Sequence, residues 1–306
     1  MKNEYLAVNP VNGLANRLRV IFSYKLLAEF LDVPYYVHWN SGIGFDETKL
    51  DNLIVCDELD LICHATWNNL VSESFSLSDN IAGLYEGDIK SNLEIKRDHC
   101  INKIFNKSYK KITTVASNYL PWSFGEDIVS SFMPHFKKEY NNLVSEIKPT
   151  KEINQLAQKT LSAFQNDCIG VHIRRGDALS EKNINHKMHN DLVIETTIRY
   201  LKEKTNQFFL CTDDEIVNQK FHSIFGDRCL SYEKKFQSSK IEEKKMGQTD
   251  AMVDLFLLSS TKKILATSPS SFAKFASLMG AAHYYSTNEI IQSTGNSRKM
   301  LDIIKS

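Results

Sequence analysis

Residues 5 to 39 run strand, loop, helix, strand, and that order constrains the fold more than any other feature of the chain. Tyr5-Leu6-Ala7-Val8 is a short strand that enters the turn-rich loop Asn9-Pro10-Val11-Asn12-Gly13-Leu14-Ala15-Asn16-Arg17. From Leu18 to Leu31 the apolar residues Leu18, Ile21, Phe22, Leu26, Leu27 and Phe30 recur at helical spacing. Asp32 and Pro34 stop that helix, and Tyr35-Tyr36-Val37-His38-Trp39 is the next strand. A strand-helix-strand unit of this kind implies a parallel sheet.

The second half repeats the logic. Cys168 to Ile173 is an apolar strand, Asp191 to Lys202 a helix with Leu192, Ile194, Ile198 and Leu201 on one face, and Gln207 to Cys211 a buried strand. Helices follow over Ile216 to Phe225 and Asp250 to Leu258, then a strand over Lys263 to Thr267 and a small-residue helix over Phe272 to Met279. In between, Lys111 to Ala116 reads as a strand, and helical patterns cover Ile128 to Phe136 and Ile153 to Phe164. The short apolar runs of residues 40 to 110, broken by Asn, Ser, Asp and Gly, assign no element. The Lys148-Pro149-Thr150 break is a natural hinge. The expected fold class is α/β: two doubly wound, Rossmann-like domains, 1–150 and 151–306, facing a cleft.

Composition narrows the partners. The 306 residues carry no formal net charge, which argues against a nucleic-acid partner but permits a small anion held by a few local arginines. A hydrophobic share of 42% with 24% charged residues is a globular balance. The six cysteines are dispersed with no CxxC pair, and Cys168 and Cys211 sit in strand-like runs as buried free thiols, which fits a reducing compartment. No apolar run reaches the ~20 residues that span a bilayer, so no transmembrane segment is expected. No signal-peptide core precedes the first strand. The expected location is cytoplasmic.

In open parallel sheets, ligands bind beyond the carboxyl ends of the strands. Four polar clusters take that position: Asn12 to Arg17, Arg174 to Asp177, Thr212 to Glu215, and Ser268 to Phe272. Side chains alternate along an extended strand, so Arg174 and Arg175 point to opposite sides. One can offer a bidentate fork to a phosphate or carboxylate, while the other pairs with the scaffold, Asp177 being one candidate. Ser270 or Ser271 is a natural N-cap, and a helix start is also an anion site. Thr212-Asp213-Asp214 suits either a metal or a ribose or base. There is no strict DxD, no GxGxxG, no GxxxxGK[ST], no zinc-spaced Cys/His set and no GxSxG elbow. His38, His64, His99, His186, His189 and His222 are scattered.

Together these pieces resemble a family. His172-Ile173-Arg174-Arg175-Gly176-Asp177 resembles the HxRRxD signature of the α1,2-, α1,6- and protein O-fucosyltransferase superfamily. Thr212-Asp213-Asp214, Asp254-Leu255-Phe256-Leu257-Leu258-Ser259 and Thr267-Ser268-Pro269-Ser270-Ser271-Phe272 are similar to its later motifs, in family order. Asn12-Gly13-Leu14-Ala15-Asn16-Arg17-Leu18 is similar to its amino-terminal GGLGNRL, with Asn12 and Ala15 in place of two glycines. Residues 40 to 160 match none of its motifs.

The resemblance implies a GT-B fold, GDP-fucose as donor, inversion at the anomeric carbon, an oligosaccharide or glycoconjugate acceptor, no required metal and no cofactor. It assigns Arg174 to the β-phosphate, with Arg175 as a structural partner oriented by Asp177. His172 and Asp254 would contact the guanosine, with Asp213 at the strand end. Ser270, Ser271 and Phe272 would serve the phosphates, and Gly13 and Asn16 would close the donor pocket. Glu181 stands one residue out of register with the glutamate of the α1,6 branch; it is either the general base or a surface loop residue. Trp39, Trp67, Tyr85, Tyr119 and Trp122 are aromatics that either fill the core or stack on an acceptor sugar. Two other readings stay open: a related transferase with another nucleotide-sugar donor, and a catalytically silent nucleotide- or glycan-binding protein.

Overall fold

A computed structural model describes residues 4–11, 13–40, 48–72, 74–76, 111–116, 136–175, 184–204, 206–234, 236, 247–266 and 270–287. The chain divides into two compact units. One holds residues 1–43, 49–51 and 55–144, and the other holds residues 44–48, 52–54 and 145–306.

In the first unit, β1 (Tyr5–Pro10) leads into α1 (Leu14–Leu31) and then β2 (Tyr35–Val37). The helix starts four residues before its first predicted apolar position, because Leu14, Ala15 and Arg17 are buried too. It ends where Asp32 turns left-handed, at φ 57, and its amide donates back to the Ala28 and Glu29 carbonyls. Aspartate tolerates that conformation better than most residues. β3 (Asp60–Leu61), α2 (His64–Ser72), β4 (Phe75–Ser76) and β5 (Lys111–Ala116) follow, and α3 (Phe136–Ser145) closes the unit's described part. Among the described residues the sheet is parallel, in the order β3-β2-β1-β5-β4. Tyr5, Ala7, Trp67 and Leu70 pack on one side of it, and the Tyr5 hydroxyl donates to the Leu70 carbonyl at 2.9 Å.

The second unit opens with α4 (Lys151–Leu161). Thr150 caps that helix: its hydroxyl accepts from the Ile153 amide at 3.3 Å and donates to the Asn52 carbonyl at 3.0 Å. Then come β6 (Ile169–Ile173), α5 (Ile184–Lys202), β7 (Phe208–Thr212), α6 (Glu215–Phe225) and β8 (Cys229–Leu230). The chain continues through α7 (Gln248–Ser259), β9 (Lys263–Ala266), α8 (Ser271–Met279) and β10 (His283–Ser286). All strands of this sheet run parallel, in the order β10-β9-β6-β7-β8. Every residue of β6 and β7 is buried, as expected for central parallel strands covered on both faces.

Val171, Ile173, Phe208, Leu210, Phe221 and Leu265 belong to one apolar cluster with α5 and α6. Each such side chain contributes roughly 1.5–3 kcal/mol of transfer free energy. On the opposite face α7 lies so close to β6 that a Cβ on Gly170 would stand 2.6 Å from Leu258 Cδ1 and 2.7 Å from Thr261 Oγ1. A glycine inside a strand is explained by that approach.

Chain order places a topological switch in each sheet. From β6 the chain moves to β7 and β8 on one side, then returns to β9 on the other; β1 stands in the same relation to β2 and β5. The crevice at such a reversal, beyond the strands' carboxyl ends, is where open α/β sheets bind ligands.

Candidate functional site

At the switch point of the second sheet, β6 ends at Ile173 beside Thr212 of β7, and His172 is in register with Ala266 of β9. The segments that follow these strands carry the polar residues. Arg174 is exposed, and Arg175 is partly buried.

Arg175 is built into the scaffold. Its backbone amide donates to Asp213 Oδ1 at 2.8 Å, its Nη1 donates to Asp191 Oδ1 at 2.9 Å, and its Nε stands 3.4 Å from Asp214 Oδ2. Asp214 also caps α6, accepting from the Val217 amide at 3.0 Å. Both aspartates of the Thr212-Asp213-Asp214 stretch therefore hold the segment after β6. Asp191, on α5, was not singled out in the sequence: it lies sixteen residues beyond Arg175, with no local pattern linking the two. Asp177 and Glu181 lie outside the described residues.

The helix start after β9 is capped by Ser270, whose buried hydroxyl accepts from the Ala273 amide at 3.3 Å. The Ser271 and Phe272 amides occupy the first two helical positions, where no intrahelical acceptor exists. Phe272 stacks on His172, ring centroids 5.4 Å apart and planes 19° apart. Burial, with the charges of Arg174 and Lys234 adding to it, pushes His172 down to about 3, so it is neutral at ordinary pH.

Asp254, on α7, is buried and ion-paired with Lys234 in the segment after β8. Burial raises the Asp254 carboxyl, against the pull of Lys234. Cys211 is a buried free thiol, raised by burial and by the Asp254 charge. Lys234 is the one member of this cluster that was not singled out in the sequence.

In the first unit Gly13 occupies the position before α1, at φ −63, and a Cβ there would meet nothing within 4 Å. Neither backbone conformation nor crowding requires a glycine at this position. Asn16 accepts from Arg19 Nη1 at 3.4 Å through Oδ1. Arg17 is fully buried, stands 4.7 Å over the Trp39 ring, and is lowered by burial to about 10. Trp67 is a buried ring stacked on His38 at 5.3 Å and 11°. Asn12, Tyr85, Tyr119 and Trp122 lie outside the described residues.

Among the described residues no cluster of three or more His, Cys, Asp or Glu side chains could hold a metal ion, and no helix is long and apolar enough to cross a membrane.

The two parallel sheets and their switch points define an α/β protein with two Rossmann-like units. No protein-family model matches the sequence, and no curated protein matches it. Solved structures do match, over nearly the whole chain. Fucosyltransferase NodZ from Bradyrhizobium is 17% identical with a TM-score of 0.60, over 91% of this chain and 94% of that one. NodZ α-1,6-fucosyltransferase soaked with GDP-fucose is 18% identical with a TM-score of 0.59, over 91% and 93%. A mutant of Arabidopsis thaliana FUT1 in complex with GDP is 15% identical with a TM-score of 0.59, over 94% of this chain and 70% of that one. At these identities the likeness establishes the fold.

Proposed function

We propose that the chain is a metal-independent, inverting glycosyltransferase that moves fucose from GDP-fucose to a glycan hydroxyl. The observation that carries this reading is the division of labour between two adjacent arginines at the switch point. The Arg175 side chain is held by Asp191 and Asp214 and its backbone amide by Asp213, and Arg174 lies at an exposed position beyond the strand end. The motif order in the sequence and the solved fucosyltransferases of the same fold, studied with GDP-fucose or GDP, support it.

On this reading, breaking the bond between the anomeric carbon and the phosphate oxygen leaves negative charge on the departing GDP and positive character on the sugar. Arg174 offers a planar fork to the β-phosphate, and the Ser271 hydroxyl with the Ser271 and Phe272 amides offers further donors. Charge fixed in advance at the leaving group lowers the barrier by several kcal/mol, which would fill the role a metal has in other transferases. His172 and Asp254 hold the guanosine, Asp213 orders the segment carrying Arg174, and Gly13 and Asn16 close the donor pocket. Glu181 is the proposed general base for the acceptor hydroxyl. The domain 151–306 binds donor, and the domain 1–150 binds acceptor.

An acceptor-glycan array incubated with radiolabelled GDP-fucose tests this reading. Label should move to at least one glycan class, with the anomeric configuration inverted and the rate unchanged by a chelator. Retention of configuration, or chelator inactivation reversed by magnesium, refutes the mechanism. Transfer from another nucleotide sugar alone refutes the donor.

A further inference from the structure

We propose that Lys234 reads the guanine of the donor, donating a hydrogen bond to O6 while Asp254 accepts from the neighbouring N1–H; this rests on the GDP-sugar reading above. The ammonium of Lys234 bonds Asp254 Oδ2, and their side chains are only 13% and 7% exposed. Asp254 Oδ1 is buried as well. Apart from the weak thiol of Cys211 beside the carboxylate, it has no hydrogen-bond partner among the described residues.

A purely structural ion pair would satisfy both carboxylate oxygens, since a buried acceptor without a donor is costly. An ammonium has three donors, and Asp254 takes one of them. The pair therefore presents a donor beside an unused acceptor. The Watson–Crick edge of guanine presents the complement, the O6 acceptor next to the N1–H donor.

The location agrees. Lys234 follows β8 and Asp254 is on α7, while the charge of Lys234 reaches His172, whose ring Phe272 covers. Burial lowers the Lys234 ammonium, but Asp254 and Cys211 facing it outweigh that, so it keeps its proton at neutral pH. The Phe236 ring, 5.6 Å from Nζ, limits where the ammonium can move.

Calorimetric titration of the full chain with GDP and with 6-thioguanosine diphosphate, which keeps N1–H but replaces O6 with a weakly accepting sulfur, tests the pairing. Wild type should bind the thio nucleotide about 10-fold more weakly, the low end of the range for losing a hydrogen bond to a charged group. Lys234→Met should lose a similar factor for GDP and bind both nucleotides equally. Lys234→Gln, which keeps an N–H donor, should recover part of the difference. Equal binding of the two nucleotides by wild type overturns the proposal without any variant. So does a Lys234→Met variant that weakens both by the same factor, the signature of a structural pair. If GDP itself does not bind, the GDP-sugar reading fails and this inference with it.

Discussion

The backbone amide of Arg175 donates to the Asp213 carboxylate at 2.8 Å, which ties the segment after β6 to the segment after β7. The tie leaves Arg174 at the carboxyl edge while the Arg175 side chain turns to Asp191 and Asp214. Replacing Arg175 with Met removes two partly exposed ion pairs, each worth at most about 1 kcal/mol. Urea unfolding should show a loss of about 1 kcal/mol for Arg175→Met. The change for Arg174→Met, at an exposed position, should stay within about 0.5 kcal/mol. The reverse order would mean that the two arginines have been assigned the wrong way round.

Arg174→Lys keeps the charge but loses the planar fork. Removing a preorganised donor of this kind typically costs about 10²- to 10³-fold in kcat. Steady-state transfer assays should show that loss with the melting temperature unchanged. Near-normal turnover would contradict the phosphate role.

Two glycines report how tightly α7 packs. A Cβ on Gly280 would stand 1.7 Å from the Ser259 carbonyl oxygen, a backbone atom that cannot step aside. A Cβ on Gly170 would press on the ends of two side chains, which can yield. Overpacking of the second kind costs about 1–3 kcal/mol. Gly280→Ala should cost more than Gly170→Ala in chemical denaturation. A Gly280→Ala protein within about 0.5 kcal/mol of wild type would mean that α7 and α8 are not in this contact.

His172 has a signed pH signature. Its folded value is depressed to about 3 from the ordinary 6.5 by burial first and then by Arg174 and Lys234. Above 6.5 both folded and unfolded chains hold it neutral, so it contributes nothing to pH dependence. Between 6.5 and about 3 only the unfolded chain takes up the proton, and stability falls as pH falls. The stability advantage of wild type over His172→Gln should therefore shrink on acidification through that window. A flat or growing difference would show that the ring is not buried as described.

Much of this was legible in the sequence, for physical reasons. Buried parallel strands are continuous apolar runs, so β5 was readable to the residue and β6, β7 and β9 to within one. Helix α1 follows from apolar residues at helical spacing, α6, α7 and α8 were readable to within two residues, and the described part of α5 extends seven residues earlier than its apolar face predicts. Strands β3, β4 and β8 have two residues each, too short for any period to show. The four clusters were found because position after a strand is a local property. Asp191 with Arg175, and Lys234 with Asp254, were not: each pairing joins residues sixteen or more apart through tertiary packing, and neither aspartate nor lysine carries a pattern that names its partner.

The central claim is that the carboxyl edge of the second sheet binds a guanosine diphosphate sugar. Thermal shift of the full chain with GDP, GDP-fucose, GDP-mannose and UDP tests it most directly. The account predicts a saturable rise in melting temperature with GDP and GDP-fucose, a smaller one with GDP-mannose, none with UDP, and loss of the response in Arg174→Met. No stabilisation by GDP or GDP-fucose at millimolar concentration would contradict it.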